Sequence, residues 1–387
     1  MNKFIILVIV LSLILTGCSS IATESRQLVK QEDMKLADSK DSKAIDESLE
    51  AGLNNITVNN SEPNIKEINL NIPEKYSVSF ADRVGSDLIV SIMDFRDTDS
   101  EGNESYIPHL TLIKYNLYSR KHEVIFSGDT YTDNFNTRLK VLQNGNIAFY
   151  ASTKILILDK ENLWVLSEVN LPEHSYFNYD ISPDGSKIVM NQFSELGNIS
   201  ITDWEYSEWK TLVTGVRGSD PHGLDSKGPG YPHWSNDGSQ ISYIMFLYES
   251  SEGVGVVDLE GKNNNLFIMN NPQFSPSYTY WLNDDKHILA FQSIGEPKAY
   301  LINILNGNFR EIELSGLFQN IKLNPVESKA VYLNLDDNLI YMIDFETNKS
   351  RPITSVQDYV AGLEWDDTGN ELIAVQNNKI RIITLED

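Results

Sequence analysis

Between Arg217 and His233 the chain reads Arg-Gly-Ser-Asp-Pro-His-Gly-Leu-Asp-Ser-Lys-Gly-Pro-Gly-Tyr-Pro-His, its richest run of side chains able to do chemistry. Asp220, His222, Asp225, Lys227, Tyr231 and His233 supply carboxylate, imidazole, ammonium and phenol groups, and Gly and Pro shape the backbone that presents them. Such a set could contact a polar ligand, hold a metal or move protons. The segment Tyr231-Pro232-His233-Trp234-Ser235 also reads as the first strand of a repeat developed below, which would make part of the loop plain scaffold. His174 opens the preceding repeat on the same side.

A second candidate is Asp97-Thr98-Asp99-Ser100-Glu101-Gly102-Asn103-Glu104. Oxygen ligands on alternate residues, Asp97, Asp99 and Glu101, with a Gly for the bend, suit calcium and resemble an EF-hand loop. The pattern departs from that loop at the twelfth position, where Pro108 stands in place of a bidentate Glu, and at the ninth, which is Ser105. A solvated hairpin tip is the alternative. No other cofactor is implied.

Enzymatic signatures are otherwise missing. The chain has no Gly-x-Ser-x-Gly elbow, no His-Glu-x-x-His and no phosphate-binding glycine loop. It is therefore expected to bind and not to catalyse. The alternative is a polysaccharide lyase or hydrolase with a His-rich metal centre built from these loop residues.

These residues are carried by a repeat. Ile181-Ser182-Pro183-Asp184-Gly185, Trp234-Ser235-Asn236-Asp237-Gly238, Trp281-Leu282-Asn283-Asp284-Asp285 and Trp365-Asp366-Asp367-Thr368-Gly369 share one plan, with weaker copies ending at Gly85, Gly145 and Glu327. Pro presets φ, Asp or Asn bonds its own backbone and Gly accepts positive φ, so each copy is a tight turn between two strands. The copies recur about every 40–60 residues, the length of one four-stranded propeller blade plus loops. A second series marks where a third strand turns into a fourth: Asn116, Asp159, Asp203, Asp258, Asn303 and Asp344. Trp234, Trp281 and Trp365 fall at one repeat position, which assigns them to packing between blades.

The last unit ends after Lys379 to Ile383 without a fourth strand, and Ile65 to Ile72 alternates loosely just before the first unit. A ring must close, so this N-terminal segment is expected to complete the last blade. The fold expected is all-β, a seven-bladed β-propeller over residues 63–387, with six blades as the alternative.

The opening residues are of another kind. Lys3, an apolar run from Phe4 to Leu15, then Leu15-Thr16-Gly17-Cys18 make a secretion signal over residues 1–17 that is too short for an ordinary membrane span. Leu-Thr-Gly-Cys resembles the lipobox of bacterial lipoproteins, which implies cleavage before Cys18 and a palmitate-type lipid anchor upon it. Cys18 is the single cysteine of 387 residues, so no internal disulfide can form. Residues 18–62 lack Phe, Tyr and Trp and read as a polar tether, with room for a transient helix between Glu24 and Ala51. The net charge of −24 argues against nucleic acid and against adhesion to anionic lipid through a basic patch.

The phased Ser-Pro-Asp-Gly turns, each followed by an Ile-led strand, resemble the repeats of TolB-like propellers and of the WD40-like propeller domain of dipeptidyl-peptidase IV-type enzymes. The resemblance covers residues 76–387. It departs from TolB in lacking a mixed α/β domain before the propeller and in counting seven units. Together these readings imply an extracytoplasmic protein held at the cell membrane by lipid, with a protein or envelope component as partner.

Overall fold

The computed structural model describes residues 45–96, 107–129, 138–151, 154–171, 179–192, 197–219, 226–247, 250–268, 274–292, 297–356 and 360–385. The chain divides into Met1–Asp41 and Ser42–Asp387, and all described residues belong to the second unit. Cys18 and the signal segment lie outside them.

The described chain opens with helix α1 (Glu47–Leu53) and strands β1 (Thr57–Glu62) and β2 (Ile65–Asn69). Blade 1 is then β3 (Tyr76–Val84), β4 (Asp87–Arg96), β5 (Ile107–Asn116) and β6 (His122–Asp129). Blade 2 comprises β7 (Arg138–Val141), β8 (Ile147–Ala151), β9 (Lys154–Leu158) and β10 (Val165–Asn170). Blade 3 follows with β11 (Tyr179–Ile181), β12 (Ile188–Gln192), β13 (Asn198–Thr202) and β14 (Trp209–Thr214). In blade 4 the strands are β15 (Gly228–Trp234), β16 (Gln240–Phe246), β17 (Ser251–Asp258) and β18 (Asn264–Phe267). Blade 5 holds β19 (Tyr278–Trp281), β20 (His287–Gln292), β21 (Lys298–Asn303) and β22 (Phe309–Ile312). Blade 6 is formed by β23 (Phe318–Leu323), β24 (Lys329–Asn334), β25 (Leu339–Asp344) and β26 (Lys349–Ser355). The last sheet runs β1-β2-β29-β28-β27, where β27 is Val360–Trp365, β28 Glu371–Gln376 and β29 Lys379–Thr384.

The expected ring closure is therefore present. Strand β2 pairs antiparallel with β29, from Ile65 opposite Ile383 to Asn69 opposite Lys379. The protein is a seven-bladed β-propeller, and six blades are excluded.

The turns form as their residues require. Asp184 Oδ1 accepts from the Ser182 hydroxyl and the Ser186 amide, and Gly185 takes φ 74° to let the chain reverse. Blade 4 repeats the geometry with Ser235, Asp237 and Gly238 at φ 73°. At the other series, Asp344 Oδ1 accepts from the amides of Glu346 and Thr347, and Asn303 Oδ1 from those of Leu305 and Asn306. Both series lie on one face of the disc. The second-to-third connections and those between blades lie on the other.

The core is divided among the blade junctions. Seven apolar clusters occur among the described residues, each drawing buried side chains from two adjacent blades. The repeated Trp has a further role there. Trp234 Nε1 donates to Asp180 O at 3.2 Å, Trp281 Nε1 to His233 O at 3.1 Å and Trp365 Nε1 to Lys322 O at 3.1 Å. Each indole thus fills the wedge and ties its blade to the preceding one, satisfying its buried N–H.

The segment read as tether carries two ordered elements at its C-terminal end. Helix α1 is capped by Asp46, whose Oδ1 accepts from the Ser48 amide at 2.7 Å. Leu49 and Leu53 are buried in the cluster between blades 7 and 1, beside Ile68, Leu70 and Tyr76. Gly52 permits the approach, since a Cβ there would stand 2.8 Å from Asn71 O. Strand β1 adds a fifth strand outside β2, with Thr57 opposite Asn69. Two leucines on a short helix suffice to dock it, although the composition around them is that of a linker.

Candidate functional site

The innermost strand of each blade borders the axis of the ring. On each, one residue precedes the position that pairs with the buried first apolar residue of the second strand: Asp82, Lys140, Asp180, His233, Tyr280, Lys322 and Glu364. These seven equivalent positions are all polar or ionisable, and they interact from blade to blade. Lys140 Nζ lies 3.1 Å from Asp180 Oδ1, His233 Nδ1 lies 4.0 Å from Asp180 Oδ2, and Lys322 pairs with Glu364. The His233 and Tyr280 rings stack at 6.3 Å between centroids.

Asp180 is the hub. Only 4% exposed, it also accepts from the Tyr150 hydroxyl at 2.9 Å and from the Trp234 amide at 2.9 Å. A buried carboxylate is tolerable only when its lone pairs are filled in this way. Asp82 faces another environment. Burial pushes its carboxyl well above the usual carboxylate range, the charge of Glu364 adds to the rise, and Lys322 and the Arg83 amide oppose it.

Nearer the loop face, two residues back along β15 and β19, stand Tyr231 and Tyr278. Their rings meet at 5.8 Å and 60°; Tyr231 also lies 5.6 Å from Phe246, and Tyr278 stacks on Phe291 at 5.3 Å. Tyr231 holds φ 51° at a bulge between Gly230 and His233, a conformation unfavourable for an aromatic residue, and this turns its ring towards Tyr278. Burial raises both phenol pKa values, so the hydroxyls are neutral donors and acceptors at physiological pH. Tyr278 remains 37% exposed and opens the corner to solvent.

Of the residues singled out in the sequence, Tyr231 and His233 thus join one wall, and Lys227 stands at the base of the loop. Lys227 bridges its backbone to Val216 and its ammonium to Glu252 Oε1 at 2.5 Å. His174, Asp220, His222 and Asp225 lie outside the described residues, as do Asp97, Asp99 and Glu101 of the acidic loop. Among the described residues no three His, Cys, Asp or Glu side chains converge as a metal set. Sequence reading missed Asp180, Tyr278 and Tyr280. The signal was available: Tyr278-Thr279-Tyr280-Trp281 repeats the spacing of Tyr231-Pro232-His233-Trp234 one blade later.

The fold and this axial wall define the class: a seven-bladed β-propeller whose inner strands present polar side chains to the axis. No family model matches the chain, and no curated protein matches it. Among solved structures it is similar to an oligogalacturonate lyase in complex with manganese, at TM-score 0.59 and 9% identity over 86% of this chain and 97% of that one. It is also similar to the β-propeller domain of Cps50 (Swd1) from Myceliophteria thermophila, at TM-score 0.54 and 11% identity over 81% and 99%. A structure assigned as TolB from Agrobacterium tumefaciens gives TM-score 0.47 and 12% identity over 72% and 98%. These likenesses are of fold.

One expectation is corrected by them. The missing signatures suggested a protein that is not an enzyme, yet the fold is shared by an oligogalacturonate lyase. Chemistry on a propeller is carried by side chains from separate blades, so short linear motifs are a poor test for it.

Proposed function

We propose that the protein is an extracytoplasmic propeller, lipid-anchored through Cys18, that binds a protein or envelope component on the face carrying the long connections. The observation that carries this reading is the corner of Tyr231 and Tyr278. It is aromatic, partly open, joined through Phe291 and Tyr280 to the His233 imidazole, and built on inner strands, where a rigid scaffold holds it. The Leu15-Thr16-Gly17-Cys18 sequence supports the anchor, and among the described residues no helix is long and apolar enough to cross a membrane.

The test compares the two faces. Tyr231→Ser with Tyr278→Ser is expected to abolish co-sedimentation of the purified protein with isolated cell-envelope fragments, whereas Trp164→Ser on the opposite face leaves it unchanged. Equal sedimentation of both variants and wild type refutes the loop-face reading. Fatty-acid labelling that persists in Cys18→Ala refutes the anchor.

A second reading is favoured by Asp180 behind His233. Asp180 Oδ2 lies 4.0 Å from Nδ1, near enough to act on the imidazole electrostatically though beyond direct hydrogen-bond distance. Taken with the oligogalacturonate lyase neighbour, it supports action on an acidic polysaccharide. Its check is the ultraviolet absorbance of unsaturated uronate, measured with oligogalacturonate with and without manganese. An absorbance rise lost in His233→Ala supports it; no rise under either condition rejects it.

A further inference from the structure

A cleft of about 270 Å³ opens where blade 7 meets blade 1, on the tight-turn face and away from the axial wall. Its lining includes Asn60, Asn64, Lys66, Arg83, Tyr118 and Glu371. Strand β2 supplies Lys66, the hairpin before it supplies the two Asn, and the turn after β5 supplies Tyr118. The cleft therefore exists only because the N-terminal strand closes the ring.

Its charge is opposite to that of the chain. The single carboxylate in the lining, Glu371, is held by Arg83, which also donates to Gly85 O at 2.8 Å. Among the described residues Lys66 has no carboxylate partner and makes no side-chain hydrogen bond. Beside Lys66 and Arg83, Arg120 stands outside the lining, at φ 57° in the same turn as Tyr118, and its charge reaches Lys66. A protein of net charge −24 thus gathers cations around a cleft and, among the described residues, pairs only Arg83 with a carboxylate.

We infer that this cleft binds a small anionic solute of about monosaccharide size, its phosphate or carboxylate group seated on Lys66 and its remaining polar atoms on Asn60, Asn64 and Tyr118. Partial burial, and after it the charges of Arg83 and Arg120, pull the Lys66 ammonium below the usual lysine value. An anion placed there relieves that repulsion. A phosphate or a carboxylate serves equally, because a lysine acts as a point charge and not as a bidentate fork.

The experiment is titration calorimetry of the purified protein with glucose 6-phosphate, glucuronate, inorganic phosphate and glucose, alongside flotation with phosphatidylglycerol and phosphatidylcholine vesicles. Glucose 6-phosphate or glucuronate is expected to bind, and glucose is not. Lys66→Gln should weaken binding by about tenfold or more, the loss of one charge-assisted contact, with an unchanged melt. Lys66→Arg should retain it. If Lys66→Gln melts lower, Arg120→Gln on the exposed turn replaces it and should weaken binding in the same direction. Three results overturn the inference: glucose binding as well as its charged relatives, variants binding like wild type, or recovery only on phosphatidylglycerol vesicles, which makes the cleft a membrane contact.

Discussion

Ile68 sits at the middle of β2, fully buried between blades 7 and 1 and directly opposite Ile380 of β29. Replacing it by Ala removes three carbons from a packed wedge and leaves a void, a change that costs about 2–5 kcal/mol in cores of this kind. Unfolding entropy is about 2.1 cal/mol/K per residue near 60 °C, or about 0.7 kcal/mol/K over roughly 340 residues if the ring melts as one unit. The expected fall in Tm is thus about 3–7 °C. Its neighbour Glu67 points to the other side of the strand and pairs with the half-exposed Lys379 at 3.7 Å. Glu67→Gln should move Tm by only about 1 °C, the scale of a surface ion pair. Calorimetry of both variants in one buffer makes the comparison. If Ile68→Ala melts at the wild-type temperature alongside Glu67→Gln, the N-terminal strand is not part of the folded ring. A chain starting at Tyr76 should fail more severely, associating through the bared edge of β29, and sedimentation velocity would register the oligomers.

Asp180→Ala leaves Lys140 and the Tyr150 hydroxyl without their buried acceptor and should lower stability by about 3–5 kcal/mol in urea titrations; replacing Lys140 by Met as well should recover part of the loss. Asp82 carries a raised pKa, so the folded state holds its proton where the unfolded chain releases it. Its contribution is therefore full below the unfolded carboxylate value and lost as pH rises towards the folded one. Asp82→Asn should flatten the decline of Tm with pH above 4, and an unchanged slope would show that Asp82 ionises normally. If the acidic loop binds calcium, millimolar calcium should raise Tm, and Asp97→Ala with Asp99→Ala should cancel the rise; a wild-type melt indifferent to calcium leaves that loop as a solvated tip.

The architecture was legible because its turns are chemically demanding. Gly185, Gly238 and Gly369 sit at positive φ in equivalent turns, and Asp285 holds φ 50° where the glycine is missing. Such positions mark the sequence strongly. The closing strand was legible for a different reason, since a three-stranded last unit implies a missing partner. Strand β1 was not legible, and the helix was expected only as a transient one between Glu24 and Ala51, not as the docked α1. Thr57–Glu62 contributes a single valine to the core-facing pattern, and α1 docks through Leu49 and Leu53 alone. The axial ring of seven polar residues was hidden by its chemistry: Asp, Lys, His, Tyr and Glu share no type, and only strand register shows them to be equivalent. Blade 1 conceals its member further, because its first two strands join through the two residues Gly85 and Ser86, which moves Asp82 two places closer to the turn glycine than its counterparts.

The pairing of Ile65 with Ile383 also fixes the order in which the molecule can become itself. Each of the other six blades is built from consecutive strands and can form as its own stretch of chain becomes available. The seventh waits for the far end, holding β2 without its partner while the whole circumference is laid down. Contacts of such sequence separation form late and slowly. Until they do, two sheet edges stand open at the same seam, so this is where a half-made ring is exposed to pairing with the wrong neighbour.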